Sequence, residues 1–220
     1  MPSRSRSVQN DTLPSESSVT SGRRPTPRRR MGARDLALVA SFAALIVVLG
    51  IPGAIDPIGT GVPITLQSLG VMLAGSLLGA RRGAAAGAVV VALCAIGLPV
   101  LAGGRGGLGV FASPTVGFLF GYIAGAAVIG YLVARRSPVA SKAAWGTAAG
   151  ILIGGILVIH AFGIPGMMWR AHLSFTQAFM ADLVFVPGDL LKAAVAIVVT
   201  LAVQRAFPEL LPPRGGRRSS

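Results

Sequence analysis

Long apolar runs, separated by short basic clusters, constrain this sequence more than any other feature. Only 12% of the 220 residues are charged, whereas an average soluble domain carries roughly 25%. In lipid the backbone polar groups must bond to one another, so only helices and closed barrels cross a bilayer. The runs here are continuous and lack the alternation of barrel strands. The sequence therefore predicts an all-α integral membrane protein.

Six runs are close to the roughly 20 residues that a helix needs to cross a bilayer. They cover residues 36–51, 64–80, 83–100, 115–134, 143–163 and 178–204. Arg81-Arg82 closes the second run, and a glycine-rich link, 101–113, follows the third. A mixed loop, 164–177, follows the fifth run, and Pro187-Gly188 interrupts the sixth. We predict six transmembrane helices.

The basic residues support this count. If the N-terminus is cytoplasmic and the chain crosses six times, 17 of the 20 Lys and Arg lie on the cytoplasmic side, as the positive-inside rule requires. Five or seven crossings would move a basic cluster to the wrong face. The sequence thus predicts a protein of the bacterial cytoplasmic membrane with both termini on the cytoplasmic side. The same distribution assigns the +13 net charge to membrane topology and argues against a nucleic acid partner.

This topology divides the chain into three segments. Residues 1–32 contain few large apolar side chains and cannot bury enough surface to fold, so we predict a disordered, basic cytoplasmic tail. A cleaved signal peptide is disfavoured, because the first apolar run begins late and lacks a small-residue cleavage site. Residues 33–206 form the six-helix domain, and residues 207–220 form a second basic cytoplasmic tail.

Asp189 and Lys192 lie within the sixth run, just before its uncharged stretch 193–204. Ionisable residues at membrane depth are expensive and usually mark a functional site. Residues three apart share a face of a helix, so the two side chains can pair. The pair is either an internal ion pair or a clamp for a ligand.

Further candidates gather on the predicted outer side. Arg105 lies between two glycine pairs, in a segment that is either a plain loop or a turn presenting backbone N–H groups to an anion. Ser113 and Pro114 suit the N-cap and first position of a helix, whose N-terminus would face the same space. Asp182, two helical turns before Asp189, either lines this space or caps the loop.

Other polar residues are better explained by packing. Thr65 and Gln67 are typical of interhelical hydrogen bonds. His160 and His172 have no partner at metal-ligand spacing, which favours structural roles, and Cys94 suits a small core position. No P-loop, Ser-His-Asp set or HExxH motif occurs. The sequence therefore predicts no enzyme, cofactor or metal.

Ala40 and Ala44 form a small-xxx-small pair in the first span. Such pairs mark close contacts between helices in membranes, because small side chains let the backbones approach. The spacing leaves open whether the partner helix is internal or belongs to another protein.

Four motifs occur together in order. They are Pro63-Ile-Thr-Leu-Gln67, Gly103-Gly104 with Gly106-Gly107, Ser113-Pro-Thr-Val-Gly-Phe118, and Phe185-Val-Pro-Gly-Asp-Leu-Leu-Lys192. Across 33–206 the chain resembles the BioY-type biotin transporters, the substrate-binding S components of energy-coupling factor (ECF) transporters. One departure is Phe118, which stands where the family often has Tyr and cannot donate a hydrogen bond.

The resemblance implies an S-component-like bundle that captures biotin from outside. It also implies docking onto a transmembrane coupling protein that carries two cytoplasmic ATPases, with Ala40 and Ala44 at that contact. Asp189 and Lys192 are implied to bind biotin. The matching motifs add these substrate-binding candidates: Gln67, Arg105, Gly106, Gly107, Thr115, Gly117 and Phe118.

The chemistry of biotin fits Asp189 and Lys192. Its ureido group has two N–H donors and one carbonyl acceptor, so Asp189 can accept from it, and Lys192 can donate to it or keep Asp189 ionised. A hydrogen bond to a charged group contributes roughly 1.5–3 kcal/mol. The carboxylate tail would lie towards Arg105, the glycine amides or water.

Two other functions stay open at this point. One is a self-sufficient secondary transporter of biotin or another small vitamin, with Asp189 as a proton relay. The other is a membrane-embedded enzyme that uses Asp189, Lys192 and Arg105 on a lipid, although a nucleophile–base set is missing.

Overall fold

The computed structural model describes residues 31–51, 59, 62, 64–135 and 140–207, except the side chains of 140–142. Apart from residues 31, 32 and 207, the two predicted tails lie outside the described residues. Within the described part, the regular elements are helices. They are α1 (Ala33–Val48), α2 (Gln67–Leu78), α3 (Ala80–Ala95), α4 (Val116–Ala134), α5 (Ala140–Leu152), α6 (Ile159–Arg170), α7 (Phe175–Leu183) and α8 (Val186–Ala206).

Among the described residues, three helices are long and apolar enough to cross a bilayer. They cover Val116–Ala134, Ala143–Arg170 and Val186–Ala206, with mean hydropathies of 2.0, 2.1 and 1.9. The second of these joins α5 to α6 through a π-helical turn, Ile153–Val158. The prediction of an all-helical protein is confirmed, and these three helices are candidate membrane spans. The count of six spans and the direction of the termini stay predictions.

The predicted loop at 164–177 is wrong over its first half. The helix continues through Pro165 to Arg170, because membrane helices tolerate proline where neighbouring groups satisfy the freed backbone. The predicted break at Pro187-Gly188 is also displaced. It falls between α7 and α8, and Pro187 lies in the first turn of α8, where its missing N–H would have no partner in the helix.

Two further predicted boundaries are corrected. Arg81 and Arg82 do not close the second span, because α2 ends before Gly79 (φ 82°) and both arginines lie in the first turn of α3. Ser113 is not the N-cap of the fourth helix. That position belongs to Thr115, while the Ser113 hydroxyl donates to the Val110 carbonyl oxygen at 2.7 Å.

Helix α4 is the element around which the bundle packs, since it contacts α2, α3, α5 and α6. Glycines lie at the closest approaches. A Cβ on Gly75 would come within 2.7 Å of the Ala126 carbonyl oxygen, and one on Gly130 would clash with the backbone of Ala80. The abundance of small residues thus serves close helix packing.

The bundle has two chemically different ends. At the first, which we term the basic end, Arg82 on α3 pairs with Asp35 on α1 at 2.7 Å. The approach of Gly130 to Ala80 brings the C-terminal part of α4 to this end. At the opposite end, which we term the cavity end, α2 begins at Gln67 and α4 begins at Val116.

We predict that Gly130→Ala lowers the free energy of unfolding by about 1–3 kcal/mol, because overpacking a close contact strains the backbone. Gly188→Ala is the matched helical control, since nothing lies within 4 Å of a Cβ there. Thermal unfolding of both variants in detergent measures the difference. Equal stability of the two variants would contradict the assigned α3–α4 contact.

Candidate functional site

Asp189 and Lys192 form a buried ion pair in the first two turns of α8. Lys192 Nζ donates to Asp189 Oδ1 at 2.9 Å, and each side chain is 9% exposed. The three-residue spacing that the sequence analysis singled out therefore brings the two groups into contact. Because Pro187 starts the helix, both side chains lie near its N-terminal end.

Ser68 on α2 joins this pair from across the bundle. Its hydroxyl donates to Asp189 Oδ1 at 3.0 Å and accepts from Lys192 Nζ at 3.3 Å. Ser68 is not among the site residues predicted from the sequence, since a single Ser in an apolar run carries no signal of its own. The contact connects α2 to α8 at the level of the ion pair.

His160 contacts Asp189 from the other side. Its Nε2 lies 3.1 Å from Asp189 Oδ2, and its Nδ1 lies 2.7 and 2.8 Å from the two carboxylate oxygens of Asp182. The π-helical turn Ile153–Val158 directly precedes His160 in α6, and such turns are frequent at functional sites. Sequence reasoning assigned His160 to packing. Its position inside an apolar run was the available signal.

The bonds within this cluster do not use the full hydrogen-bonding capacity of Asp189 and Lys192. Asp189 Oδ1 accepts from Ser68 and Lys192, and Oδ2 pairs with His160. A carboxylate oxygen has two lone pairs and an ammonium group has three donors. Among the described contacts, one acceptor position on Oδ2 and one donor on Lys192 therefore stay open for a neutral ligand with neighbouring N–H and C=O groups.

These charged groups face a cavity with mainly apolar walls. Among the predicted site residues, Gln67, Arg105, Thr115, Phe118, Asp189 and Lys192 line it. The wall also contains residues that sequence reasoning did not select: Val62, Ile64, Leu101, Leu119, Tyr122, Ile159 and Phe185. A few convergent polar groups among apolar walls are typical of small-molecule sites.

Aromatic rings form one side of the cavity. Phe118 meets the His160 ring edge-on at a centroid distance of 6.0 Å and the Phe185 ring at 6.2 Å. Tyr122, one turn further along α4, is buried and lines the cavity together with Thr65. Phe118 thus offers an apolar surface, and Tyr122 places a hydroxyl group in the cavity wall one helical turn away.

Gln67 holds the glycine-rich link over the cavity. Its Nε2 donates to the Val100 carbonyl oxygen at 2.9 Å, and its Oε1 accepts from the Ala102 N–H at 3.2 Å. The side chain is 2% exposed. The predicted site residue Gln67 therefore lines the cavity while its amide is committed to the backbone.

Arg105 connects the link to the start of α4. Its Nε donates to the Ala102 carbonyl oxygen at 3.3 Å and its Nη1 to Thr115 Oγ1 at 3.0 Å. It lines the cavity and also an adjoining open depression that includes Gly106 and Ser113. Arg105 is therefore the cation at the mouth, on the side of the glycine-rich link.

Three predicted site glycines lie outside the cavity lining. Gly106 is pressed against the Leu98 carbonyl group, and a Cβ on Gly117 would clash with the Phe162 carbonyl oxygen. Gly107 adopts φ 83°, and its N–H bonds to the Cys94 carbonyl oxygen at 2.7 Å. These three glycines therefore form turns or allow the backbone to pack closely against neighbouring carbonyl groups.

Ala40 and Ala44, the predicted interface pair, lie on the exposed face of α1, opposite the buried Val39, Ala43 and Ile46. No other helix in the described part of the chain therefore covers Ala40 and Ala44. Among the described residues, no cluster of His, Cys, Asp and Glu has the arrangement of a metal site.

Comparison with known proteins gives consistent matches over most of the chain. Residues 20–209 match the family model of the BioY family. A biotin transporter BioY from Rhizobium etli is 53% identical over 192 residues, which cover 84% of this chain and 100% of that protein. One from Rhodobacter capsulatus is 48% identical and is covered over 99% of its length, with 83% of this chain.

The fold has a match among solved structures as well. It is similar to the crystal structure at 2.1 Å of the S-component for biotin from an ECF-type ABC transporter, with a TM-score of 0.75 and 27% sequence identity. The similarity covers 83% of this chain and 100% of that one. The described helices are therefore arranged as in an S component.

We predict that Gln67→Glu lowers the free energy of unfolding by about 1–3 kcal/mol, because the Val100 carbonyl loses its donor in a buried place. Gln177→Glu is the matched control, since the exposed Gln177 side chain acts as the acceptor of a capping box, a role that Glu also fills. Equal thermal stability of Gln67→Glu and Gln177→Glu in detergent would refute this role of Gln67.

Proposed function

The chain belongs to the BioY family, and we propose that it is the substrate-capture S component of an ECF transporter that takes up biotin. The observation that carries this proposal is the buried Asp189–Lys192 pair, with its open acceptor and open donor, in an apolar cavity. The named relatives are transporters, and the proposed role involves binding and uptake without chemical conversion.

The ureido group of biotin matches the open positions of the pair. One ureido N–H donates to Asp189 Oδ2, and the neighbouring carbonyl oxygen accepts from Lys192 Nζ. Each bond to a charged group contributes roughly 1.5–3 kcal/mol. A ligand that lacks either the N–H or the carbonyl group would leave a buried charged group without one hydrogen-bond partner. Such an unsatisfied group costs more free energy than the bond contributes.

The rest of biotin fits the remaining surfaces. The sulfur-containing ring packs against Phe118, Tyr122 and neighbouring aliphatic residues of the wall. Its carboxylate extends towards Arg105, which lies at the mouth and has further N–H donors beyond its two bonds. Thr115 keeps Arg105 in place. Gly106, Gly107 and Gly117 act by shaping the backbone around the ligand.

We place the protein in the bacterial cytoplasmic membrane with six spans and both termini inside. The three long apolar helices and the cluster of Arg81, Arg82 and Arg135 near one end support this orientation. The basic end then faces the cytoplasm, and the cavity end faces outward. In this arrangement residues 33–206 are the substrate-binding domain, with a basic cytoplasmic tail on each side.

Transport requires a partner that supplies energy. We propose that the exposed Ala40 and Ala44 of α1 contact a transmembrane coupling protein that carries two cytoplasmic ATPases. An exposed small-residue pair four apart allows close approach of another helix. The first span lies at the edge of the described bundle, where this face is accessible.

We expect Asp189→Asn to weaken biotin binding at least tenfold while the protein stays folded, because Asn cannot supply the charged acceptor that Lys192 and the ureido N–H require. Isothermal titration of the purified protein with biotin measures the effect. Asp35→Asn, which removes a carboxylate at the basic end, should keep the wild-type affinity. Wild-type affinity in Asp189→Asn would remove this residue from the site.

Ala44→Leu should reduce cellular uptake of biotin about tenfold when the coupling protein and ATPases are present, and it should leave biotin affinity unchanged. The larger side chain prevents close approach of the partner helix. Ala194→Leu is the control on the exposed face of α8. If both variants transport equally well, the partner binds another face.

A further inference from the structure

We infer that Asp182 is a positioning residue for the ligand site, which acts through His160 to keep Asp189 oriented and His160 doubly protonated. This inference rests on the proposed biotin site. Asp182 lies on α7 and outside the residues that line the cavity, whereas His160 and Asp189 line it. Any effect of Asp182 on a ligand in the cavity must therefore pass through another side chain.

The hydrogen-bond geometry at His160 is the basis for the inferred protonation state. Both ring nitrogens face carboxylates, Nδ1 towards Asp182 at 2.7 Å and Nε2 towards Asp189 at 3.1 Å. A neutral imidazole has only one N–H, whereas an imidazolium has two. Two ionised carboxylates can both be satisfied only by the imidazolium.

Charge balance within the bundle agrees with this state. Asp182, His160, Asp189 and Lys192 are all buried, and buried charges are tolerated when they are paired and hydrogen-bonded. Two carboxylates and two cations sum to zero. The other polar residues that line the cavity are Thr65, Gln67, Ser68, Arg105, Thr115 and Tyr122, and of these Arg105 carries a charge.

The geometry around His160 leaves the ring little freedom. Phe118 approaches it edge-on with an interplanar angle of 83°, and Asp182 contacts Nδ1 with both oxygens. His160 thereby directs its Nε2–H at Asp189 Oδ2, the oxygen with the open acceptor position. The ligand meets an Asp189 carboxylate that is already oriented, which reduces the entropy lost on binding.

Asp182 also attaches α7 to the bundle. Most of α7 is exposed, including Phe175, Phe179 and Met180, and its buried residues are Ala178 and Asp182, so Asp182 supplies its charged contact with α6. The short helix thus delivers a carboxylate to a histidine in the cavity wall and takes part in the site without touching the ligand.

The first test measures biotin affinity of Asp182→Asn between pH 5.5 and 8. Without the Asp182 charge, His160 loses its second proton as the pH rises, and its bond to Asp189 becomes a weaker, neutral one. We expect a Kd within twofold of wild type at pH 5.5 and about five- to tenfold higher at pH 8. A loss of affinity that is equal at all pH values, or no loss, would overturn the inference.

The second test asks whether Asp182 acts through His160. His160→Gln should raise the Kd by a similar factor at every pH, since Gln carries no titrating proton. Adding Asp182→Asn to His160→Gln should then change the Kd by less than twofold, because the two residues form one unit. A full additional loss in the double variant would show that Asp182 acts independently.

The third test needs no ligand and separates this inference from the proposed function. The chain contains two histidines, so His172→Asn leaves His160 as the single imidazole for ¹⁵N NMR. Asn suits position 172, where φ is 54°. In the His172→Asn protein at pH 7.5, we expect the spectrum of a doubly protonated His160. Adding Asp182→Asn should abolish that spectrum. A singly protonated His160 ring in the protein that keeps Asp182 would refute the inference. Failure of biotin to bind would refute only the proposed function.

Discussion

The buried carboxylate of Asp189 is the interaction on which the cavity end depends. An unpaired charge in an apolar bundle is strongly destabilising, and removing one partner of a buried pair commonly costs 3–5 kcal/mol. Asp189 avoids this through Ser68 on α2, His160 on α6 and Lys192 on its own helix. Because these partners come from three helices, the same bonds that stabilise the charge also fix the helices relative to one another.

From the sequence alone, only the contact between Asp189 and Lys192 in this cluster could be predicted. Asp189 and Lys192 are three residues apart, so helix geometry alone brings them together. His160 lies 29 residues from Asp189, and Ser68 lies 121 residues away. Their contacts depend on how α2 and α6 pack, and for His160 also on the rotation introduced by a π-helical turn. No residue pattern in one sequence specifies that rotation.

The same limit explains the errors in the helix boundaries. Hydropathy located the apolar stretches and the all-helical class, because burial in lipid depends on composition. It could not separate Pro165, which lies inside a continuous helix, from Pro187, which starts a new one. The difference depends on which carbonyl groups find partners nearby, and therefore on tertiary contacts. Arg81 and Arg82 were placed at the end of a span for a similar reason, since charge marks an interface but not the turn at Gly79.

Two kinds of contact hold the cavity, and they differ in what a ligand can replace. One wall, α4, is fixed by close backbone approaches such as Gly117 against Phe162, which no ligand group can substitute. The link is attached by side-chain hydrogen bonds of Gln67 and of Arg105 with Thr115, in addition to the backbone bond from Gly107 to Cys94. The polar groups of a ligand can exchange with bonds of the second kind at little net change in free energy, because one hydrogen bond replaces another. Binding and release are therefore expected to involve the link, while α4 stays in place as the rigid wall against which the ligand is held.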